Sequence, residues 1–584
     1  MARSYNRALL RYLRPHWQQT TLGITALLLV NALGVYIPLL IRNSIDDLQS
    51  SFSLDRIVQA AIAIFLLTTI VWVVRMASRI WTFGVGRKVE FDLKQAIFEH
   101  LLKMEPAYFA TTTIGDTISR ATNDVDNVRR LLGFAVLSLA NTIFAYALTI
   151  PVMIQIDPLL SVLSLGVYPL MLGMVMAFSD RLRREQLWVQ EELSTMSDLI
   201  QEDLSGIAPI KIYAQEENER RAFRELNNRL LRANLSMAKT RNLLFPLLGG
   251  LASVSLLVLL WFGSDAIATG RISIGDFVAL TVYVERLVFP TALLGFTIST
   301  YQRGQVSVDR VEAILAAEPK ITDELATEPL PLDQVRGALR ARGLTYCFPG
   351  AQTPALNGLD FDILPGEMVA IVGPVGSGKS TLANALPRLL DIEPGQLWLD
   401  GRDVTKIPLT DLRRAIAYVP QESFLFSTTI AHNIAYGAPE SDRDRVERAA
   451  QRGQIHDEIQ QFPRQYETLV GERGITLSGG QRQRSSLARA LLVDAPILIL
   501  DDALSSVDNK TATEILRRLT GGDRDRRRTV LFISHQLSAA ATADRILVMD
   551  RGRIVDVGRH EELRSRPGLY QDLWNQHTLE AVLR

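Results

Sequence analysis

Apolar residues in this chain follow two rhythms. In the first half they gather into six long blocks: 21–41, 57–74, 131–156, 158–178, 243–263 and 277–298. A helix crosses a bilayer with roughly 20 apolar residues, so window hydropathy predicts six membrane spans. From residue 338 onward, short β-branched runs alternate with helical patterns, which predicts an α/β domain. Between the halves, EPKITDELATEPLPLDQVRG is acidic, Pro-containing and weakly periodic, as an interdomain linker is. The expected division is a membrane domain over 1–317, a linker over 318–337 and an α/β domain over 338–584.

Charge orients the spans. Arg87, Lys88, Lys94, Lys103, Arg120, Arg129 and Arg130 crowd one long connection, and 180–241 is similarly basic. The connections 43–56, 156–158 and 264–275 are short and poor in basic residues, so the long connections and both termini are expected on the cytoplasmic side. The long connections keep a three-and-four apolar spacing, as in VEFDLKQAIFEHLLKM, and spans two to five should continue beyond the bilayer as helices. Short turns are expected around 111–125 and 205–215. The start, MARSYNRALLRYLRPHWQQ, is basic and amphipathic and predicts a helix along the inner interface with Trp17 at headgroup depth. Four ionisable residues lie at membrane depth: Arg75 and Arg79 in span two, Glu285 and Arg286 in span six. Such residues face a cavity or a partner, and Glu285 reads either as an ion-pair member or as a substrate contact. Pro290 is expected to kink span six.

Composition narrows the class. At 584 residues the chain exceeds what one hydrophobic core supports. Lys+Arg and Asp+Glu are equal at 63 each, so no basic excess points to nucleic acid. Mean hydropathy is positive, +0.11, despite 22% charged residues, in keeping with apolar residues concentrated in spans. Cys347 is the one cysteine, which rules out an intrachain disulfide and a cysteine metal site. The basic run GDRDRRRTV (522–530) reads as a solvated loop.

The second half carries the chemistry. MVAIVGPVGSGKSTLANAL is an apolar strand, a glycine-rich loop and a helix, with G-x-x-x-x-G-K-S at 373–380. Gly373, Gly376 and Gly378 allow the backbone through Pro374, Val375 and Ser377 to curl so that its N–H groups face phosphate. The helix entered at Lys379, Ser380 and Thr381 adds its positive dipole end. Lys379 suits the β- and γ-phosphates, and the Ser380 hydroxyl suits Mg²⁺. ATP and Mg²⁺ are therefore the expected ligands. Downstream, ILILDDALSSVD delivers two acids from the end of an apolar strand. Asp501 suits the Mg²⁺ shell and Asp502 could polarise an attacking water.

LSGGQRQR (477–484), ahead of ILILDD, resembles the signature of ATP-binding-cassette proteins, and the whole chain resembles an ABC exporter half-transporter of the bacterial multidrug or lipid type. The resemblance implies six exporter-type transmembrane helices fused to an α/β P-loop nucleotide-binding domain, in a bacterial plasma membrane. It also implies a second half-transporter as partner, with ATP held between one chain's phosphate loop and the other's signature, here Ser478, Gly479, Gly480 and Gln481. Matched singly, Gln421 in YVPQESFLF corresponds to the glutamine that senses Mg²⁺, and His535 in LFISHQL to the switch histidine at the γ-phosphate. Asp508 corresponds to the loop crossing the dimer seam, and TLVGERG (468–474) to an exporter segment near the coupling turns. Phe348 stands where the family usually has an adenine-stacking Tyr, with Tyr346 in a structural role. IGDTISRATNDV and GIAPIKIYAQEE resemble the two coupling loops.

One position departs from the pattern. The family's general base is Glu, and this chain has Asp502 there. In exporters with two different halves, the half with this Asp commonly keeps an intact LSGGQ. A heterodimer is therefore favoured over a homodimer, with an amphipathic drug, lipid or peptide as substrate. A soluble ABC ATPase lacks such spans, and an importer would separate membrane and ATPase chains. A channel or regulator on the same scaffold is the remaining alternative.

Overall fold

The computed structural model describes residues 2–50, 54–505, 509–520 and 528–583. The chain divides into two compact units: Met1–Leu102 with Ile114–Ala317, and Lys103–Thr113 with Glu318–Arg584. Among the described residues the first contains six helices long and apolar enough to cross a membrane: Arg7–Gln49, Leu54–Leu101, Ile114–Ile156, Pro158–Ser205, Glu216–Ala268 and Ile274–Leu315. Each contains one of the six apolar blocks and runs well past it.

Local chemistry marks the turns between these helices. Asp157 ends the third and starts the fourth: its Oδ1 accepts from the Leu160 N–H at 2.8 Å, with Pro158 in the first turn. Ser273 and Asp276 form a reciprocal capping box that opens the sixth. The Asp46 carboxylate, from the first helix, accepts from Gly275 N–H at 2.9 Å and Ser273 Oγ at 2.7 Å, tying that turn down.

Three expectations change here. The N-terminal helix, Ala2–Leu13, packs its apolar face on protein: Ala8 and Tyr12 are buried in one cluster with Val85, Val89, Val308 and Val311. Tyr12 also donates to Glu312 Oε1 at 2.5 Å. Part of its apolar surface is thus covered by protein, while Leu10 and Trp17 stay exposed. Second, most of 111–125 belongs to the helix from Ile114, while a separate short helix, Pro106–Thr111, precedes it. Third, Glu285 is a member of no ion pair among the described residues, its neighbour Arg286 included. Glu285 is exposed, and Arg286 donates instead to the Asn31 carbonyl at 3.1 Å. Neighbours in a helix point about 100° apart, so adjacency in sequence does not make a pair. Pro290 lies inside the sixth helix, which continues through it.

Among the described residues the second unit holds ten strands: β1 (Leu339–Tyr346), β2 (Leu356–Ile363), β3 (Met368–Val372), β4 (Leu397–Leu399), β5 (Arg402–Asp403), β6 (Ile416–Val419), β7 (Ile497–Asp501), β8 (Thr529–Ile533), β9 (Arg545–Asp550) and β10 (Arg553–Gly558). A four-stranded antiparallel sheet has the order β2-β1-β4-β5. A six-stranded sheet has the order β10-β9-β3-β8-β7-β6, parallel except for the β10 edge. β3, β7 and β8 are buried at every position, because apolar side chains leave both faces. Val369, Ile371, Ile499 and Leu531 meet the antiparallel sheet on one side, while Ala370, Leu498 and Phe532 meet Leu487 and Leu491 of the helix Gly479–Val493 on the other. The linker stretch lies on this unit: Leu330 joins its core, and its N–H donates to Asp411 Oδ2 at 3.1 Å.

Candidate functional site

In open parallel sheets, ligands gather at the carboxyl ends of the strands. The ends of β3, β7 and β8 carry the predicted chemistry. Leaving β3, the chain turns through Gly373, Gly376 and Gly378, all at positive φ (152°, 82° and 97°). A Cβ at Gly373 would sit 2.1 Å from the Met549 carbonyl oxygen, so no side chain fits there. The helix Lys379–Ala385 follows at once. Lys379 is buried, and its Nζ donates to the carbonyls of Gly373 and Pro374, each at 2.8 Å. Its cation therefore lies inside the curl of its own loop. Burial pushes the ammonium down from its ordinary value, while Asp502 and Asp501 pull it up.

Asp501 ends β7 at 2% exposure. Its Oδ1 accepts from Ser380 Oγ at 3.0 Å and its Oδ2 from the Tyr418 hydroxyl at 3.4 Å. Tyr418, on β6, also donates to Asn384 Oδ1 at 2.9 Å, which fixes its ring. Burial holds the Asp501 carboxyl above the usual range, against the hydrogen bonds from Ser380 and Tyr418. β8 separates β7 from β3, so Asp501 reaches the loop from two strands away rather than from the adjacent one. A buried carboxylate beside a hydroxyl is a hard oxygen set that fits Mg²⁺.

Asp502 follows in the left-handed region, φ 49°, which is uncommon for a residue with a side chain. Its N–H donates to the Ile533 carbonyl of β8 at 3.1 Å. Its carbonyl accepts from Ser505 Oγ at 2.9 Å and from Gln483 Nε2 at 3.5 Å. Burial raises the Asp502 carboxyl, and the charge and backbone N–H of His535 draw it back. Asp502 and His535 thus meet at the ends of two adjacent strands. Tyr418, Ser505 and Gln483 were not among the predicted residues, because each acts through packing that no motif spells out.

The other predicted residues lie apart. Gln421 is exposed just after β6. Phe348 is 42% exposed and meets the buried Tyr346 edge-on, with ring centroids 5.0 Å apart, leaving a face free. Ser478 caps the helix Gly479–Val493: its Oγ accepts from Gln481 N–H at 3.2 Å, and Gln481 Oε1 accepts from Ser478 N–H at 2.9 Å. Gln481 also donates to Glu458 Oε2 at 2.9 Å, so its side chain holds the cap and a neighbouring segment. Among the described residues, no hydrogen bond or ion pair joins Ser478, Gly479, Gly480 or Gln481 to the phosphate loop. Asp508 and residues 522–527 of the basic run lie outside the described residues.

Residues 20–291 match the family profile described as the ABC transporter transmembrane region, and 356–505 match the one described as ABC transporter. The multidrug resistance-like ATP-binding protein MdlA of Escherichia coli (strain K12) is 33% identical over 575 residues, covering 98% of this chain and 96% of its own length. The chain belongs to the ABC transporters. An ATP-dependent lipid A-core flippase of Syntrophus aciditrophicus (strain SB) is 31% identical, over 97% of this chain and 93% of that protein. Among solved structures, a bacterial Atm1-family ABC exporter with ATP bound aligns at TM-score 0.77 and 25% identity, over 96% of this chain and 99% of that one. This ABC protein is of the exporter type: an integral membrane ATPase whose hydrolysis is coupled to transport. ABC exporters of this type work as dimers.

Proposed function

We propose that this ABC exporter moves an amphipathic drug, lipid or peptide out of the cytoplasm or inner leaflet of a bacterial plasma membrane. Its nucleotide-binding domain and both termini lie in the cytoplasm, and it works as one half of a heterodimer. The names of its relatives, multidrug resistance-like and lipid A-core flippase, support the substrate class.

In this reading Lys379 leaves its loop carbonyls to meet the β- and γ-phosphates, and Phe348 stacks on adenine. The loop N–H groups from Gly373 to Thr381 hold the remaining phosphate oxygens. Ser380, Asp501 and Gln421 hold Mg²⁺, which neutralises phosphate charge when bound. Asp502 orients the water and His535 contacts the γ-phosphate. Ser478, Gly479, Gly480 and Gln481 serve the partner's nucleotide, with Asp508 at the seam. Closure of two nucleotide domains on ATP, and their release after hydrolysis, would drive alternating access in the spans.

Asp502 carries the heterodimer assignment. Its backbone is held by Ile533, Ser505 and Gln483, so the shorter side chain cannot be offset by a shift of the main chain. A misplacement of about 1 Å costs roughly 10²-fold in rate. This chain's own phosphate-loop site is then slow, and the partner's glutamate serves a fast site against this chain's signature. Changing Asp502→Ala in the purified two-chain transporter tests this. Most ATPase activity should survive. Near-total loss, or brisk activity from this chain purified alone, would establish a homodimer instead.

A further inference from the structure

A cavity of about 500 Å³ opens between the first, second, third and sixth long helices, all within the first unit. Three of its lining residues are arginines, Arg75, Arg79 and Arg286, and no carboxylate lines it. Among the described residues, Arg75 and Arg79 make no ion pair and no hydrogen bond. Arg286 is positioned by neutral groups: its Nη2 donates to the Asn31 carbonyl at 3.1 Å and to Asn31 Oδ1 at 3.4 Å. Asn31 is buried and held in turn, donating to Asn141 Oδ1 at 3.1 Å and to the Leu27 carbonyl at 3.0 Å. Room for the guanidinium comes from Gly34, where a Cβ would lie 2.4 Å from Arg286 Nη1. The nearest acid in sequence, Glu285, is exposed and outside the lining.

Three uncompensated cations at membrane depth are costly unless an anion joins them. Guanidinium pairs phosphate through two parallel hydrogen bonds, and Arg75 and Arg79 have all of their donors available. Beside Asn31, Ser78, Ser138 and Asn141, the rest of the wall is apolar, with Phe83, Phe134 and Phe289 its largest side chains and Phe134 braced edge-on by Phe296 at 5.1 Å. We infer that this cavity receives an amphiphile with a phosphate headgroup, the phosphate on Arg75, Arg79 and Arg286 and the apolar part on the phenylalanines. This rests on the export reading and narrows its substrate class. A cationic amphiphile meets like charge in the same place.

The test uses the purified transporter in dodecyl maltoside micelles, which carry no phosphate, with binding of a fluorescent lysophosphatidic acid read by anisotropy. Unlabelled lysophosphatidic acid should compete, whereas dodecyltrimethylammonium and inorganic phosphate should not. The double variant Arg75→Gln/Arg79→Gln should raise the half-saturating concentration by about tenfold or more, and the double Lys variant should recover most of that. These two side chains have no protein partners to lose, so the change does not threaten packing. Arg286→Gln breaks the bonds to Asn31, and the competition series on the unaltered protein stands without it. Unchanged affinity in Arg75→Gln/Arg79→Gln, or equal binding of the cationic amphiphile, would overturn the inference. Displacement by inorganic phosphate at similar concentration would make this a free-anion site and overturn the amphiphile assignment. Absent ATP-driven flux with lysophosphatidic acid binding intact would count against the export reading and leave this inference in place.

Discussion

The Ser380 hydroxyl donates to the Asp501 carboxylate at 3.0 Å, across 121 residues of chain. Asp501 ends β7, and Ser380 lies in the first turn of the helix Lys379–Ala385 that follows β3, so the buried strands and this helix hold their separation. A site pre-assembled in this way does not need to order its own groups when ligand arrives.

Asp501→Asn keeps the shape and removes the charge. Mg²⁺-dependent hydrolysis at this chain's own phosphate loop should fall by roughly 10²-fold, the scale of losing one preorganised electrostatic group, while the partner's site keeps most of the total rate. Single-turnover hydrolysis against Mg²⁺ concentration checks this, and an unchanged rate at this site at saturating Mg²⁺ would show that Asp501 is not needed.

Burial raises the carboxyls of Asp501 and Asp502 in the folded state. A group whose folded pKa is raised gives stability that is present below its unfolded pKa and lost as pH rises through the folded value. The nucleotide-free protein should therefore lose melting temperature as pH climbs out of the ordinary carboxylate range. Asp501→Asn should flatten that slope, and Mg²⁺ should flatten it in the unaltered protein. Thermal melts from pH 4 to 8 in steps of about one unit, the span of carboxylate shifts, measure it. A parallel slope in the variant would remove Asp501 as the cause.

Lys379→Ala removes the cation that lies among the carbonyls of Gly373 and Pro374. ATP affinity should weaken by about tenfold or more, as when a charge-assisted phosphate contact is lost, and transport should stop. Nucleotide titration and vesicle flux report the two effects separately. Retained ATP-driven flux would mean that another group serves the phosphates.

Asp502→Glu restores the missing methylene. If reach alone limits hydrolysis, the rate at this chain's own phosphate loop should rise by up to roughly 10²-fold. Single-turnover hydrolysis is the measurement, and no gain would place the limit elsewhere, for instance in the left-handed backbone of Asp502.

The short helix Ile207–Ile212 leaves Ile207, Ile212 and Tyr213 exposed within its unit. Replacing Ile210, Ile212 and Tyr213 with Ser should preserve ATP binding while lowering transport, because apolar side chains at a turn suit a docking contact. Substrate stimulation of the ATPase at its normal level in that variant would end the coupling assignment for this turn.

The sequence alone determined whatever depends on near neighbours. Six apolar blocks dictate six spanning helices, since backbone groups in lipid must bond within their own segment. The glycine spacing at 373–378 dictates a phosphate loop, since positive φ belongs to glycine. Ser478 with Gln481, and Ser273 with Asp276, dictate helix starts over three residues. Tertiary structure decided the rest. Arg286 took Asn31, 255 residues away, over its neighbour Glu285 because interhelical packing chooses which side chains meet. β8 came between β3 and β7, and Tyr418 joined Asp501, because strand order is set by how helices cover both sheet faces. The N-terminal helix folded onto Val308 and Val311, a partner that its own amphipathic pattern could not name. A periodic stripe fixes which face is buried, and only the assembled chain supplies what buries it.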